Sequence, residues 1–294
     1  MKSGIVVLKK EEGMTSQAAV NRVKRLFGVD KAGHTGTLDP MATGVLPVLV
    51  GRAVKISEFM LSSDKYYRAT LRLGITTDTE DITGTTLTEC EVNATESEVM
   101  AAIASFIGAY KQTPPMYSAL KVGGKKLCDL ARAGVEIERE ARDITVFDIN
   151  ARRIDSVTYE LDVHCSKGTY IRTLCADIGK KLGTGGVMAS LIRTHASVFD
   201  LDDAMTLAEL EALGDKRDER IIPAERIFED LPVIKLPDFF ARLARCGAEI
   251  YTEKIKASLA EGERVRLYDK EGFFALGEVR KYDTGLAIKP IRQL

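Results

Sequence analysis

Asp39 stands apart from the other acidic residues by its setting. It lies in the run Gly33-His34-Thr35-Gly36-Thr37-Leu38-Asp39-Pro40-Met41-Ala42-Thr43-Gly44, and the apolar stretch Val45-Leu46-Pro47-Val48-Leu49-Val50 follows at once. Glycines permit positive φ and close approach of the backbone to a ligand. A loop that runs into a buried apolar segment can hold one polar side chain still at the edge of a core. An acid so fixed can become a nucleophile or have its pKa shifted for catalysis. Asp-Pro in a Gly-rich loop is by itself usually a turn, but the length and order of the run favour the chemical reading.

Other reactive constellations are sparse. The five cysteines, at 90, 128, 165, 175 and 246, form no C-x-x-C pair, and the three histidines stand at 34, 164 and 195. A structural zinc site needs four ligands at characteristic spacings, and none is evident. His164 and Cys165 are adjacent, but on a strand they point to opposite faces. Reduced, buried cysteines and no metal are the expectation.

The 294 residues carry a net charge of −1, an unusual balance for a nucleic-acid binder. Its distribution is uneven: residues 231–294 sum to +3 and residues 1–230 to −4. A nucleic-acid contact in the larger part would therefore use local clusters such as Lys121, Lys125 and Lys126, although such clusters are usually solvated faces. With 45% hydrophobic residues the chain can fill a core. No apolar run approaches the ~20 residues that span a bilayer. The opening Met1 to Leu8 is too short for a signal peptide and runs into Lys9 to Glu12. A cytoplasmic enzyme without a membrane partner is expected.

The elements that must position Asp39 are readable from periodicity. Ile5–Leu8 reads as a buried strand. Thr15-Ser16 caps a helix that runs through Phe27 and stops at Gly28. Tyr67–Leu73 alternates as a half-buried strand. Thr76–Gly84 reads as an acidic loop, Ser97–Phe106 as a helix, Met116–Gly124 as an exposed loop with a Gly-Gly hinge, and Leu127–Ala133 as a short helix. Thr145–Ile149 and Ser156–Cys165 read as strands, Ile171–Leu182 as a helix, Arg193–Phe199 as a strand and Leu207–Leu213 as a helix. Helices and antiparallel-looking strands alternate without a βαβ beat. The expected fold is α+β: a mixed, largely antiparallel sheet with flanking helices. Pro223 to Pro237 reads as a linker. Beyond it, strands near 263–268, 273–279 and 286–290, separated by turn signals, make a small β-barrel-like domain. The expected division is a catalytic domain at 1–230 and a second domain at 231–294.

The Asp39 run resembles the GHTG-x-LDP-x-ATG-x-L signature of the TruB-type pseudouridine-55 synthases of bacterial tRNA. Asp64-Lys65-Tyr66-Tyr67-Arg68-Ala69 is similar to that family's DK-x-Y block, and Gln112 to Lys126 to its thumb loop, here about 112–134. Lys167-Gly168-Thr169-Tyr170-Ile171-Arg172-Thr173-Leu174 resembles its KGTYIR-T block, and Ala189 to Thr194 its closing L-x-R-T block. Four departures accompany the match. Lys9-Lys10-Glu11 stands where Asp-Lys-Pro is usual, Cys128 where an aromatic residue is common, Ser197 where glycine is usual, and Val54 where threonine is common.

The resemblance implies the pseudouridine synthase fold with a PUA-like C-terminal RNA-binding domain. It also implies isomerisation of uridine to pseudouridine in the T-loop of tRNA, without a cofactor. Asp39 would be the nucleophile, attacking C1′ of the ribose or C6 of the base. Arg172 would pair with Asp39 and hold it anionic. Reaching a base inside a folded stem-loop requires flipping it out. Tyr67 would stack on the flipped base and could accept the C5 proton, Tyr170 and Leu191 would wall the pocket, and His34 would fill the vacated space. Lys121, Lys125 and Lys126 would meet phosphates of the T-arm, and a monomer is expected. Two rival readings remain: a non-catalytic RNA-binding protein on the same scaffold, which would have no use for Asp39, and a paralogous synthase working on other RNA with guide partners.

Overall fold

The structure is a computed structural model that describes residues 2–118 and 120–294. Its main sheet uses β1 (Gly4–Lys10), β2 (Ala32–His34), β3 (Thr43–Val50) and β4 (Lys65–Leu73). A hairpin of β5 (Ile75–Thr77) and β6 (Thr86–Glu89) follows, then β7 (Gly108–Gln112) and a second hairpin of β8 (Lys121–Val122) and β9 (Lys125–Lys126). The long strands β10 (Arg142–Arg153), β11 (Thr158–Cys165) and β12 (Gly186–Ala196), with the short β13 (Phe199–Asp200), complete it. The order is β1-β3-β12-β4-β11-β10-β7, with β2 added to β3 and β13 to β12. Only the β3–β12 contact is parallel. The sheet is therefore mixed and largely antiparallel, as the sequence suggests.

Among the described residues six α-helices accompany this part of the chain: α1 (Ser16–Phe27), α2 (Ser57–Leu61), α3 (Glu96–Ala104), α4 (Leu127–Arg132), α5 (Ile171–Leu182) and α6 (Leu207–Ala212). α1 follows its sequence signals. Thr15 is extended at φ −74° and its hydroxyl accepts the Ala18 N–H, while Gly28 ends the helix in the left-handed region at φ 63°. Its buried stripe of Ala19, Val20, Val23 and Phe27 shares one core with Leu46, Val48, Leu71 and Leu161, and α5 adds Leu174 and Ile178 to it.

Four expectations need correction. The cysteines are not uniformly buried: Cys165 and Cys175 are, but Cys90 and Cys246 are exposed and Cys128 is half-buried. The strand expected from Arg193 begins at Gly186, because pairing with β4 extends it back through Val187 to Leu191. The segment from Pro223 to Pro237 is no free linker: it holds a 3-10 turn at Ala224–Phe228 and β14 (Val233–Lys235). The stretch after Pro115 is not simply exposed, since Met116 and Ser118 are buried. There Gly123 and Gly124, at φ 57° and 83°, form the two-residue turn of the β8–β9 hairpin.

The second sheet has the order β14-β16-β17-β18-β15, from β15 (Ile250–Tyr251), β16 (Arg264–Asp269), β17 (Gly272–Tyr282) and β18 (Gly285–Gln293). With α7 (Asp238–Arg245) it encloses its own core, giving a half-barrel of PUA-like form. It is also packed onto the first sheet. Ile5, Val7, Val45 and Leu49, on the opposite face of β1 and β3 from the main core, join Met60, Phe228 and Leu276 in one cluster. Phe228 meets Phe59 edge-on at 5.3 Å and Phe273 at 6.2 Å. Burying one such phenyl ring contributes about 1.5–3 kcal/mol. Among the described residues no helix is long and apolar enough to cross a membrane.

Candidate active site

The Asp39 loop is held from three sides. At the first turn of α1, Ser16 Oγ donates to Leu38 O (2.9 Å) and accepts the Leu38 N–H (2.8 Å). From β1, the fully buried Lys10 Nζ donates to Pro40 O (3.1 Å) and Ala42 O (2.6 Å). Burial lowers the Lys10 pKa to about 8, and Asp39 opposes that shift. From β12, Arg193 Nε donates to Val45 O (2.8 Å) and Nη2 to Gly36 O (3.2 Å). Gly44 is needed at this contact: at φ 103°, a Cβ there would lie 2.3 Å from Arg193 O.

Arg172 completes the anchorage. It is the second residue of α5, whose entry is fixed by the buried side chain of Gln112: Nε2 donates to Tyr170 O (3.0 Å) and Oε1 accepts the Tyr170 N–H (2.8 Å). Arg172 Nε reaches Asp39 Oδ2 at 2.9 Å and Nη2 reaches Asp39 Oδ1 at 3.3 Å, a forked pair. The remaining donors go to Tyr117 O (2.8 Å), Thr79 O (3.1 Å) and Asp81 Oδ2 (3.6 Å). Arg172 is only 4% exposed, so its charge must be matched by these groups.

The Asp39 carboxyl is nevertheless pushed above the ordinary carboxylate value. Burial is the largest cause; Arg172 and Lys10 pull the other way and Asp81 adds to the rise. Arg172 pairs with Asp39 as expected, and its charge offsets part of the desolvation penalty on the carboxylate without cancelling it.

Asp39, Arg172, Tyr67, Tyr170 and Leu191 line one cleft of about 270 Å³. Tyr67 and Leu191 come from neighbouring strands, with Tyr67 directly opposite Arg193 and Leu191 opposite Ala69, so they share the face that looks at Asp39. Burial raises the Tyr67 phenol pKa, with the Arg193 guanidinium opposing, so the hydroxyl keeps its proton at neutral pH. Burial raises the Tyr170 phenol likewise. His34 is separate: it lines a neighbouring cleft that shares Asp39, Leu38 and Tyr117 with the first. Burial, and then Arg193, lowers the His34 pKa, which favours the neutral imidazole.

Of the three thumb lysines, Lys125 is exposed on the β8–β9 hairpin and belongs to neither cleft. The side chains of Lys121 and Lys126 lie outside the described residues.

Sequence reasoning missed Lys10, Asp81 and Arg193. Asp81 is buried, and its Oδ1 accepts from Thr79 Oγ1 (2.9 Å), Thr83 N (3.0 Å) and Thr83 Oγ1 (2.5 Å). The alternating threonines and acids of Thr76–Gly84 were the available signal, since hydroxyls at that spacing can satisfy a buried carboxylate. Among the described residues no group of three or more His, Cys, Asp or Glu side chains is placed to hold a metal ion.

Comparison with known proteins agrees with this geometry. Residues 24–171 match the TruB family pseudouridylate synthase N-terminal domain, and residues 172–229 match the tRNA pseudouridylate synthase B C-terminal domain. The tRNA pseudouridine synthase B of Alkaliphilus oremlandii is 46% identical over 96% of this chain and 94% of its own length. That of Aromatoleum aromaticum is 43% identical over 94% and 88%. Among solved structures, the chain of a Cbf5-Nop10-Gar1 complex superposes with a TM-score of 0.75 at 26% identity, over 99% of this chain and 85% of that one. A buried Arg–Asp fork in a GHTG-to-ATG loop, on this sheet and with these relatives, has one reading: the chain belongs to the TruB family of pseudouridylate synthases.

Proposed function

We propose that this protein converts uridine 55 in the T-loop of tRNA to pseudouridine, as a monomer in the cytoplasm, with Asp39 as the nucleophile. Family membership makes it a pseudouridylate synthase, and its relatives carry the name tRNA pseudouridine synthase B. The observation that carries the proposal is the fork between Arg172 and Asp39 in the cleft lined by Tyr67.

The reaction breaks the C1′–N1 bond, turns the uracil and forms C1′–C5. The proton leaves C5 and N1 ends protonated, so no electron donor or acceptor is consumed. The target base leaves its stack and enters the cleft. Tyr67 offers it an aromatic face, and Tyr170 and Leu191 close the sides. Asp39 attacks C1′ or C6; both routes need an ionised carboxylate held against the base, and Arg172 supports that state. Tyr67, on the same face, takes up the C5 proton as its own phenolic proton passes to water. His34, neutral and beside the adjoining cleft, takes up the space that the base vacates in the RNA. The half-barrel of residues 231–294, which carries the positive balance of the chain, serves as the RNA-binding appendage, and the lysines at 121, 125 and 126 meet T-arm phosphates.

The test is pseudouridine mapping on an unmodified tRNA transcript treated with the wild-type protein or with Asp39→Asn. One modified uridine in the T-loop is expected with the wild type. None is expected with the variant, whose affinity for the same tRNA stays near that of the wild type. Modification elsewhere in the tRNA would refute the assigned position, and appreciable turnover by the variant would remove Asp39 from its role.

A further inference from the structure

Five strands carry one continuous row of side chains across the main sheet. Asp148 on β10 stands opposite His164 on β11, His164 opposite Tyr66 on β4, Tyr66 opposite His195 on β12, and His195 opposite Asp200 on β13. Residues in direct register share a face, and Tyr66 alternates with Tyr67. The row therefore lies on the sheet surface turned away from Asp39.

Its centre is a stack of rings. Tyr66 and His164 are parallel within 8° at 4.0 Å, His195 stands edge-on to Tyr66 at 5.2 Å, and Phe147 lies 4.7 Å beyond His164. Tyr66 is 42% and Phe147 44% exposed. The ends of the row are acidic. Asp148 and Asp200 take part in no ion pair among the described residues, and Asp64 Oδ2 approaches His164 Nε2 at 3.5 Å. Arg68, the basic residue one row along on β4, is already paired with Asp162 at 2.9 Å. Asp200 Oδ1 accepts the Asp202 N–H at 3.0 Å, which leaves its second oxygen for a partner. An aromatic strip with a carboxylate at each end that no cation pairs repels a phosphate backbone and attracts a cation.

We propose that this row is a docking site for a basic polypeptide segment. Arginine and lysine side chains can lay their apolar stems along the exposed ring edges and set their charged heads on a carboxylate. Four strand-to-strand steps separate Asp148 from Asp200, roughly 19 Å at about 4.8 Å each. An extended segment of about six residues covers that span at ~3.3 Å per residue. The partner is therefore a short extended stretch with cationic residues near both ends. It can bind while RNA occupies the opposite face.

The test uses a fluorescent hexaarginine peptide and the full-length protein. Fluorescence anisotropy should show saturable one-to-one binding. The double substitution Asp148→Asn with Asp200→Asn should weaken it roughly tenfold, and Asp148→Lys with Asp200→Lys should weaken it further. Tyr66→Ala should weaken it by a smaller factor. Pseudouridine formation should be unchanged in all three, because none of these residues lines the cleft; that readout also certifies folding. Equal peptide affinity in the charge-neutralised and wild-type proteins would overturn the proposal. So would a loss of tRNA affinity in Tyr66→Ala, which would assign the row to RNA. Concentration-dependent dimerisation that the charge-neutralised variant abolishes would likewise overturn it in favour of a second copy of this chain.

Discussion

Asp39 and Asp81 share one guanidinium. Arg172 meets Asp39 through Nε at 2.9 Å and Asp81 through Nη1 at 3.6 Å, and it is buried between them. The negative charge of Asp81 adds to the rise in the Asp39 pKa that burial causes. Only ionised Asp39 can attack, so the rate falls as pH drops through a pKa that lies above the ordinary 3.8. The acid limb of kcat should therefore lie above 3.8. Asp81→Asn removes a neighbouring anion and should move that limb to lower pH. It also removes one of the charges that balance the buried Arg172 guanidinium, so kcat should fall as well, roughly tenfold. A pH–rate profile of wild type and variant on one tRNA checks both. An acid limb that moves up in Asp81→Asn would refute the electrostatic coupling.

Tyr67 separates stacking from proton transfer. Its ring shares the cleft with Asp39, and its hydroxyl sits in a buried setting opposite Arg193. Tyr67→Phe keeps the ring and should lose much more in kcat than in tRNA affinity. Tyr67→Ala should lose affinity as well, since stacking a base on an aromatic ring contributes about 1–3 kcal/mol. Single-turnover rates and binding measured on the same RNA separate the two. Full activity in the phenylalanine variant would leave Tyr67 with stacking alone.

What was readable in the sequence was local. Thr15 and Gly28 bracket α1 because capping and the left-handed stop are encoded within a few residues. The buried stripe of α5 marks its extent from Ile171 to Leu182 in the same way. Gly186–Ser190 was opaque because the short apolar pair Val187-Met188 after a glycine-rich turn is too brief to signal a strand; pairing with β4 makes the segment one. β14 was hidden between two prolines, since three residues become a strand only by lying against β16. At the site, Asp39 and Arg172 were legible through motif context. Lys10 and Arg193 were not, because they bind main-chain carbonyls 32 and 148 residues away, which no periodicity encodes.

Ser197 tests a departure from the family pattern. It lies at φ 63°, a region that a residue with a Cβ rarely occupies, where the family usually has glycine. Its carbonyl accepts from His195 Nε2 at 2.6 Å when that nitrogen carries the proton. Ser197→Gly keeps the carbonyl and relieves the strain, while the more flexible unfolded chain offsets part of the gain. A net stabilisation of up to about 1 kcal/mol is expected. Denaturant unfolding of the two proteins measures it, and a destabilised variant would show that the serine backbone is at ease there.

The thumb lysines carry the last prediction. Lys125 is exposed at the turn of the β8–β9 hairpin, clear of both clefts, and Lys121 and Lys126 are paired in that hairpin's backbone. The hairpin is tied to the site at its base, where Tyr117 O accepts from Arg172 and Ser118 O accepts the Cys128 N–H. RNA entering the cleft should order the hairpin and bring its ammonium groups to phosphates. Each such contact releases about one counterion and steepens the salt dependence of binding. Replacing all three lysines by alanine should weaken tRNA binding, flatten the plot of log affinity against log salt by up to about three units of slope, and raise KM. The rate at saturating RNA should change much less, because Asp39 and Arg172 are held by β1, α1 and α5. Binding isotherms at several salt concentrations decide the matter: an unchanged slope in the triple variant would make these lysines an ordinary solvated face.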